Sequence, residues 1–139
     1  MYVSARSDYA VRAMLVIAAE GQELVKAAAL ASSQDIPLSF LQGILLDLRR
    51  AGLLHSHRGV EGGYALARPA ALITVGDVLR AVSGSLTTVR GLPADVATYH
   101  GVATGLRDVW IAVHAAIEEV VDRTSLTDLL SPTARTASG

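Results

Sequence analysis

Apolar residues recur at intervals of three and four along most of this chain, and glycines at Gly21, Gly52 and Gly84 interrupt the pattern. The sharpest stretch lies between Ile36 and Pro69. Phe40, Leu41, Ile44, Leu45 and Leu48 form one apolar stripe, which predicts a helix over about 38–51 that Gly52 ends. The string LLHSHRGVEGGYALAR then reads as two short strands around a turn in which Gly59, Gly62 and Gly63 permit positive φ. A helix running directly into a hairpin predicts a winged helix.

The same pattern orders the rest of the chain. Ser7 as N-cap, Asp8 in the first turn and Tyr9, Ala10, Ala13, Met14, Ile17 and Ala18 at helical spacing predict a buried first helix. Val25 to Ser33 predicts a short second helix that starts poorly, because Lys26 stands where a capping Ser or Thr is expected. With QDIP as the turn, the second and third helices form a helix-turn-helix. Thr74, with Asp77 three positions on, predicts the start of a fourth helix that points Val78, Leu79 and Val82 inward. The periodicity fades over 85–103, which reads as a loop with one short helical turn. A long helix follows over about 104–123. Leu106, Val109, Trp110, Val113, Ile117, Val120 and Val121 line one side of it, a stripe wide enough to pack on a second subunit. Residues 124–130 add a final turn, and 131–139 read as a disordered tail by composition. The expected class is mainly α with a small β-hairpin wing: a winged helix-turn-helix over 1–84, a loop over 85–103 and a dimerisation helix over 104–130.

Composition narrows the function more by exclusion than by signal. The chain is 51% apolar, enough for a core, and no apolar run reaches the roughly 18 residues of a membrane span. Arg6 and Asp8 interrupt the N-terminal apolar stretch, so no signal-peptide layout is present and a cytoplasmic protein is expected. Cysteine is absent, which removes thiolate catalysis, disulfides and cysteine-held metal centres. No paired-carboxylate, Ser/His/Asp or phosphate-cradling pattern suggests an enzyme, and no cofactor is expected. His100, His114 and Asp108 lack metal-ligand spacing, and none of the histidines is read as a metal site.

The net charge of −1 does not announce a nucleic-acid partner, but its distribution is uneven, +1 over residues 1–68 and −2 over 69–139. On the third helix Ser39 and Gln42 face outward. Glutamine can pair in bidentate fashion with adenine, and Gly43 leaves room for close approach. Arg49 and Arg50 suit phosphates or the helix C-terminus, and Arg58 at the hairpin suits a narrow minor groove. Tyr9, Lys26, His57 and Gly59 complete the candidate DNA-contacting set, although Tyr9 suits a partly buried aromatic with its hydroxyl at the surface better than a phosphate contact.

The strings SDYAVRAML, IPLSFLQGILLDLRRAGLL, RGVEGGYALARP, ITVGDVLRAVSG and the tryptophan helix ending in RTSLTDLL together resemble the Rrf-two family of bacterial winged-helix transcription regulators, over roughly residues 3–130. The resemblance implies a homodimeric DNA-binding regulator, expected to be a repressor, on a palindromic double-stranded operator. In that arrangement the recognition helix enters the major groove and the wing the minor groove. It places Ser39 and Gln42 where bases are read, Arg58 at the wing arginine, and Gly62, Gly63 and Tyr64 at the wing turn. Leu106, Trp110, Val113, Ile117 and Val120 fall on the dimer helix. Many members of that family hold an iron–sulfur cluster with three cysteines before the tryptophan helix. Here Thr104 stands at the last such position and Arg107 where some members have a histidine, so no cluster forms by that pattern. An effector, small molecule or protein, is expected in an apolar pocket between the 85–103 loop and the fourth and long helices, with Arg90, Tyr99 and Arg107 as polar groups. The competing reading is a winged-helix protein-interaction adaptor that no longer reads DNA.

Overall fold

The computed structural model describes residues 2–131, so the expected tail beyond Ser131 lies outside the described residues. The elements run α1 (Ala5–Ala19), α2 (Ala27–Gln34), α3 (Leu38–Arg50), β1 (Leu54–His57), β2 (Gly63–Leu66), α4 (Val75–Ser83), β3 (Thr88–Val89), β4 (Leu92–Pro93), α5 (Leu106–Arg123) and α6 (Leu126–Leu130). Met14 and Ile17 of α1, Leu41, Ile44, Leu45 and Leu48 of α3, Ile73, Val78 of α4 and Leu126 of α6 meet in one core, fully out of solvent. Each such side chain is worth about 1.5–3 kcal/mol of apolar burial.

Helix boundaries follow the caps with two corrections. Ser4, not Ser7, caps α1: its hydroxyl accepts from the Ser7 amide at 3.1 Å, while Ser7 lies inside the helix and is buried. Two serines three residues apart both satisfy the local pattern, and packing decides between them. The second helix begins at Ala27, not Val25, because Val25 pairs with the wing. Its N–H donates to the Tyr64 carbonyl at 2.9 Å, and its own carbonyl accepts from the Tyr64 N–H at 2.8 Å. Lys26, at the N-cap of α2, supplies no side-chain cap, as expected. The α4 prediction holds in detail, with a full capping box between Thr74 and Asp77.

The hairpin pairs Leu54 with Leu66 and His57 with Gly63 in antiparallel register. Its glycines serve two different needs. Gly59 adopts φ +103°, whereas Gly62 has no left-handed φ and is required by close approach: a Cβ there would overlap the His57 carbonyl oxygen. Phe40, expected inside, is 40% exposed and meets Tyr9 edge-on, with ring centroids 5.7 Å apart.

The 85–103 segment holds more order than a loop. Arg90 (φ +53°) and Gly91 (φ +80°) turn β3 into β4 with two left-handed residues, the type I′ arrangement of tight hairpins, and two short 3-10 turns follow. α5 starts at Leu106, later than expected, because Thr104 stays in the preceding turn, its hydroxyl donating to the Gly101 carbonyl at 2.7 Å. The far end of α5 is pinned to the core. The Val75 N–H donates to the Thr124 carbonyl and the Leu126 N–H to the Ile73 carbonyl, both at 2.9 Å, and Val121 is buried.

Candidate nucleic-acid interface

The third helix presents one edge to solvent and the hairpin walls it. Gln42, Leu46 and Arg49, at helical spacing on α3, look across a groove at Ser56, His57, Arg58, Gly63 and Tyr64. Ser39 continues the α3 edge one turn earlier and is exposed, and beside it Gly43 leaves open space where a side chain would stand. Arg50 is exposed at the end of the helix, and Gly59 is exposed in the wing turn.

What distinguishes this surface is the availability of its charges. Among the described residues, Arg49, Arg50 and Arg58 make no salt bridge or side-chain hydrogen bond, whereas the other arginines outside the β3–β4 turn are engaged. Arg6 pairs with Asp47, Arg68 lies 4.0 Å from Asp77, and Arg107 donates to the Asp95 carbonyl at 2.8 Å. A cation already paired has less to offer an incoming phosphate than one held only by water. The −1 net charge therefore understates the positive character of the α3 and wing edge.

Two predicted contact residues have structural work of their own. The Lys26 ammonium donates to the Val60 carbonyl and, at 3.2 Å, to the Gly62 carbonyl, so it clasps the wing turn to the start of α2. Tyr9 sits between Phe40 at the head of α3 and the Arg12 guanidinium, 4.9 Å from its ring, while Arg12 donates to the Gln34 carbonyl at the end of α2 at 3.0 Å. These contacts tie α1 to the end of α2 and the head of α3. The missed signal was the Val25–Tyr64 pairing, which joins residues 39 positions apart and leaves no local trace in the sequence.

The predicted dimer helix leaves much of its apolar stripe uncovered. Leu106, Val109, Val113 and Val120 are exposed, Trp110 and Ile117 are half-buried, and Val121 is buried. Its other side is held by charge. Arg80 of α4 donates to both Asp122 carboxylate oxygens, at 2.7 and 2.8 Å, and to Glu118 at 3.2 Å. The hydrogen bond from Arg80 holds the Asp122 carboxyl below the usual carboxylate range, and the same bond raises Arg80. His114 joins this row through Glu118, at 3.4 Å, and Thr87, at 2.8 Å.

A cavity does lie among the 85–89 segment, α4 and α5, with the N-terminus closing one side, but its polar groups are not the expected ones. Arg90, Tyr99 and Arg107 are not among its lining residues. They brace the loop instead: Arg90 lies over the Tyr99 ring at 5.7 Å, the Tyr99 hydroxyl accepts from Trp110 Nε1 at 2.8 Å, and Arg107 holds the Asp95 carbonyl. Cations that look free in the sequence are satisfied by backbone oxygens and an aromatic face in the fold.

Comparison with known proteins agrees with this geometry. Residues 3–132 match the family model described as Rrf2, iron-dependent transcriptional regulator. Rv1287 of Mycobacterium tuberculosis, which carries the name of an HTH-type transcriptional regulator, is 45% identical over 130 residues, covering 93% of this chain and 81% of its own. The solved structure of CymR, the global cysteine regulator of B. subtilis, superposes with a TM-score of 0.78 at 30% identity, covering 93% of this chain and 95% of the other. That of T. potens IscR superposes with a TM-score of 0.75 at 34% identity, covering 98% and 90%. These relatives are regulators, not enzymes, and among the described residues no helix is long and apolar enough to cross a membrane. The iron–sulfur cluster implied by the family does not fit the residues present here. No thiolate exists in the chain, Thr104 and Arg107 are bound to backbone carbonyls, and no group of three His, Asp or Glu among the described residues converges on a metal position. The chain belongs to the Rrf2 family of transcriptional regulators, as a member without cysteine.

Proposed function

We propose that this chain is a homodimeric, sequence-specific DNA-binding repressor of the cytoplasm, with α3 in the major groove, the β1–β2 wing in the adjacent minor groove and no cysteine-ligated cluster. The observation that carries this reading is the set of uncommitted arginines Arg49, Arg50 and Arg58 flanking the exposed Gln42. Gln42, with Ser39 beside it, reads bases; the bidentate match of a carboxamide is to adenine. Arg58, with His57 and Gly59 at the wing, follows the minor groove, and Arg49 and Arg50 bind phosphates. Lys26 and Tyr9 act mainly by holding the wing and α3 in place.

The dimer reading rests on α5. Its exposed Leu106, Val109, Val113 and Val120, joined by Trp110 and Ile117, form a face that a second copy covers across a two-fold axis. Two wings related that way meet half-sites about one helical turn, ~34 Å, apart. Residues 1–84 then act as the reading domain, 104–130 as the dimerisation arm and 85–103 as the segment where an effector acts.

Selection from a random duplex pool, followed by fluorescence anisotropy on the recovered sequence, tests this. The expected result is a palindromic site whose log affinity falls with log salt by about 0.9 per neutralised phosphate. Arg58→Ala weakens binding and flattens that slope by about 1. Recovery of no sequence favours the protein-adaptor reading, and unchanged affinity in Arg58→Ala removes the wing from the interface.

A further inference from the structure

The tip of the wing is a turn held from several sides. The Gly62 N–H donates to the Gly59 carbonyl at 3.0 Å, which closes a four-residue β-turn with Val60 and Glu61 at its two apex positions. The Lys26 ammonium binds the carbonyls of Val60 and Gly62, and Gly62 lies too close to the His57 backbone to accept a side chain. The apex is therefore fixed in place, and two side chains decide what it presents. Val60 is 87% exposed, and its side chain neither donates nor accepts a hydrogen bond. Glu61 is exposed, and among the described residues its carboxylate makes no salt bridge. Two cations that belong to the same turn leave it unpaired: Lys26 is committed to carbonyl oxygens, and Arg58 makes no ion pair.

An unpaired carboxylate is costly on a surface that approaches phosphates, because like charges repel and the group loses water with no donor to replace it. That cost is offset only where the nucleic acid itself supplies a donor. In the minor groove, A·T and T·A pairs present acceptors alone, adenine N3 and thymine O2, and the one donor is the guanine N2 amino group. A carboxylate accepts from that group and is repelled by the others. Arg58, three residues before Glu61, has the opposite preference, since a guanidinium donates to the acceptors of a narrow A·T stretch.

We propose that Glu61 is a specificity-determining residue of the wing. It accepts from the N2 amino group of a guanine beside the A·T stretch that Arg58 enters, so that the wing selects a G·C pair next to A·T pairs and does more than follow the backbone. This rests on the DNA-binding reading above and adds to it a base contact outside α3.

Inosine tests this, because an inosine paired with cytosine keeps the major-groove face of guanine and lacks only the minor-groove amino group. The full wild-type chain and Glu61→Ala are measured by fluorescence anisotropy on the selected duplex, with each guanosine replaced in turn by inosine. The wild type is expected to lose about tenfold in affinity at one guanine per half-site, the size of one charge-assisted hydrogen bond, and Glu61→Ala to be indifferent to the same replacement. When an A·T pair is placed at that position, diaminopurine in place of the adenine restores an N2 amino group. Binding is then expected to recover, and only with Glu61 present. A wild type with no inosine-sensitive guanine, or an equal loss in Glu61→Ala, overturns the proposal and leaves DNA binding itself standing. Recovery of no sequence from the random pool overturns the DNA-binding reading, and the proposal with it.

Discussion

The two ends of this molecule are held by different kinds of interaction. Around the wing, backbone holds backbone: Val25 and Tyr64 exchange two hydrogen bonds, Gly62 lies against the His57 carbonyl, and Lys26 binds turn carbonyls. The side chains on the outer edge are thereby left free. Along α5 the reverse holds. Side-chain charges from Arg80 to Asp122 and Glu118 fix one side, and the other displays valines to solvent. The wing end is complete within one chain, because every constraint on it is internal. The α5 end leaves an apolar face that no other part of the described chain covers.

The most severe way to break this contrast is to place a charge on the uncovered face. Val109, 54% exposed, tolerates an aspartate in a free chain, but a dimer that covers it must bury an unpaired carboxylate at a cost of several kcal/mol. Val109→Asp is expected to convert the dimer proposed above to monomer in sedimentation velocity with its helical signal intact; a persistent dimer would move the interface elsewhere.

At the wing, Gly62→Ala should act as strongly on DNA and hardly at all on assembly. The new methyl meets the backbone carbonyl of His57, which cannot swing away, so the turn must open. Overpacking of this kind costs about 1–3 kcal/mol, up to roughly two orders of magnitude in DNA affinity by anisotropy. An unchanged affinity would show that the locked turn is dispensable. Gln42→Ala sharpens the picture from the reading edge: it should lose about 1–3 kcal/mol of discrimination at one base position and leave the salt slope unaltered. A selection profile identical to that of the wild type would rule out base reading by that side chain.

The smallest effect belongs to the ion pair that fixes α5. Asp122 has a lowered pKa, so its contribution is fully present above the ordinary aspartate value of 3.8 and is lost as the pH falls through the lower folded value. Arg80 is raised, and its contribution persists at every working pH. Because both groups are more than a third exposed, solvent screening keeps the pair under about 1 kcal/mol. Asp122→Asn should therefore lower the melting temperature slightly at neutral pH, with the gap to wild type closing in acid below 3.8. A gap independent of pH would mean that the pair contributes through packing alone.

These features were unequally legible from residues alone. Local signals read well where the cause is local: the Thr74–Asp77 box, the Gly52 and Gly84 stops and the buried positions of α3 all depend on neighbours within one turn of helix. They failed where a distant partner decides. Val25 has strand character only because Tyr64 lies beside it, and Phe40 fits the helical stripe but sits at the end of α3 where Tyr9 covers just one edge. Arg90 carries no turn signal, yet it takes the left-handed conformation that Gly91 alone would have suggested. The candidate contact residues on α3 and at Arg58 could be named because an exposed edge follows from the buried one. Arg90, Tyr99 and Arg107 were misplaced because their partners, an aromatic face and backbone oxygens, become visible only after folding.

Gly76 carries a historical implication. A Cβ at that position would overlap the Asp122 carboxylate and stand 2.9 Å from the Arg80 guanidinium, so a side chain at position 76 would displace the ion pair that joins α4 to α5. Positions 76 and 122 are thereby coupled through that pair. Across lineages that share this arm, a residue larger than glycine at 76 should be found together with a shorter residue at 122, a paired change that sequence divergence records without any measurement on the protein itself.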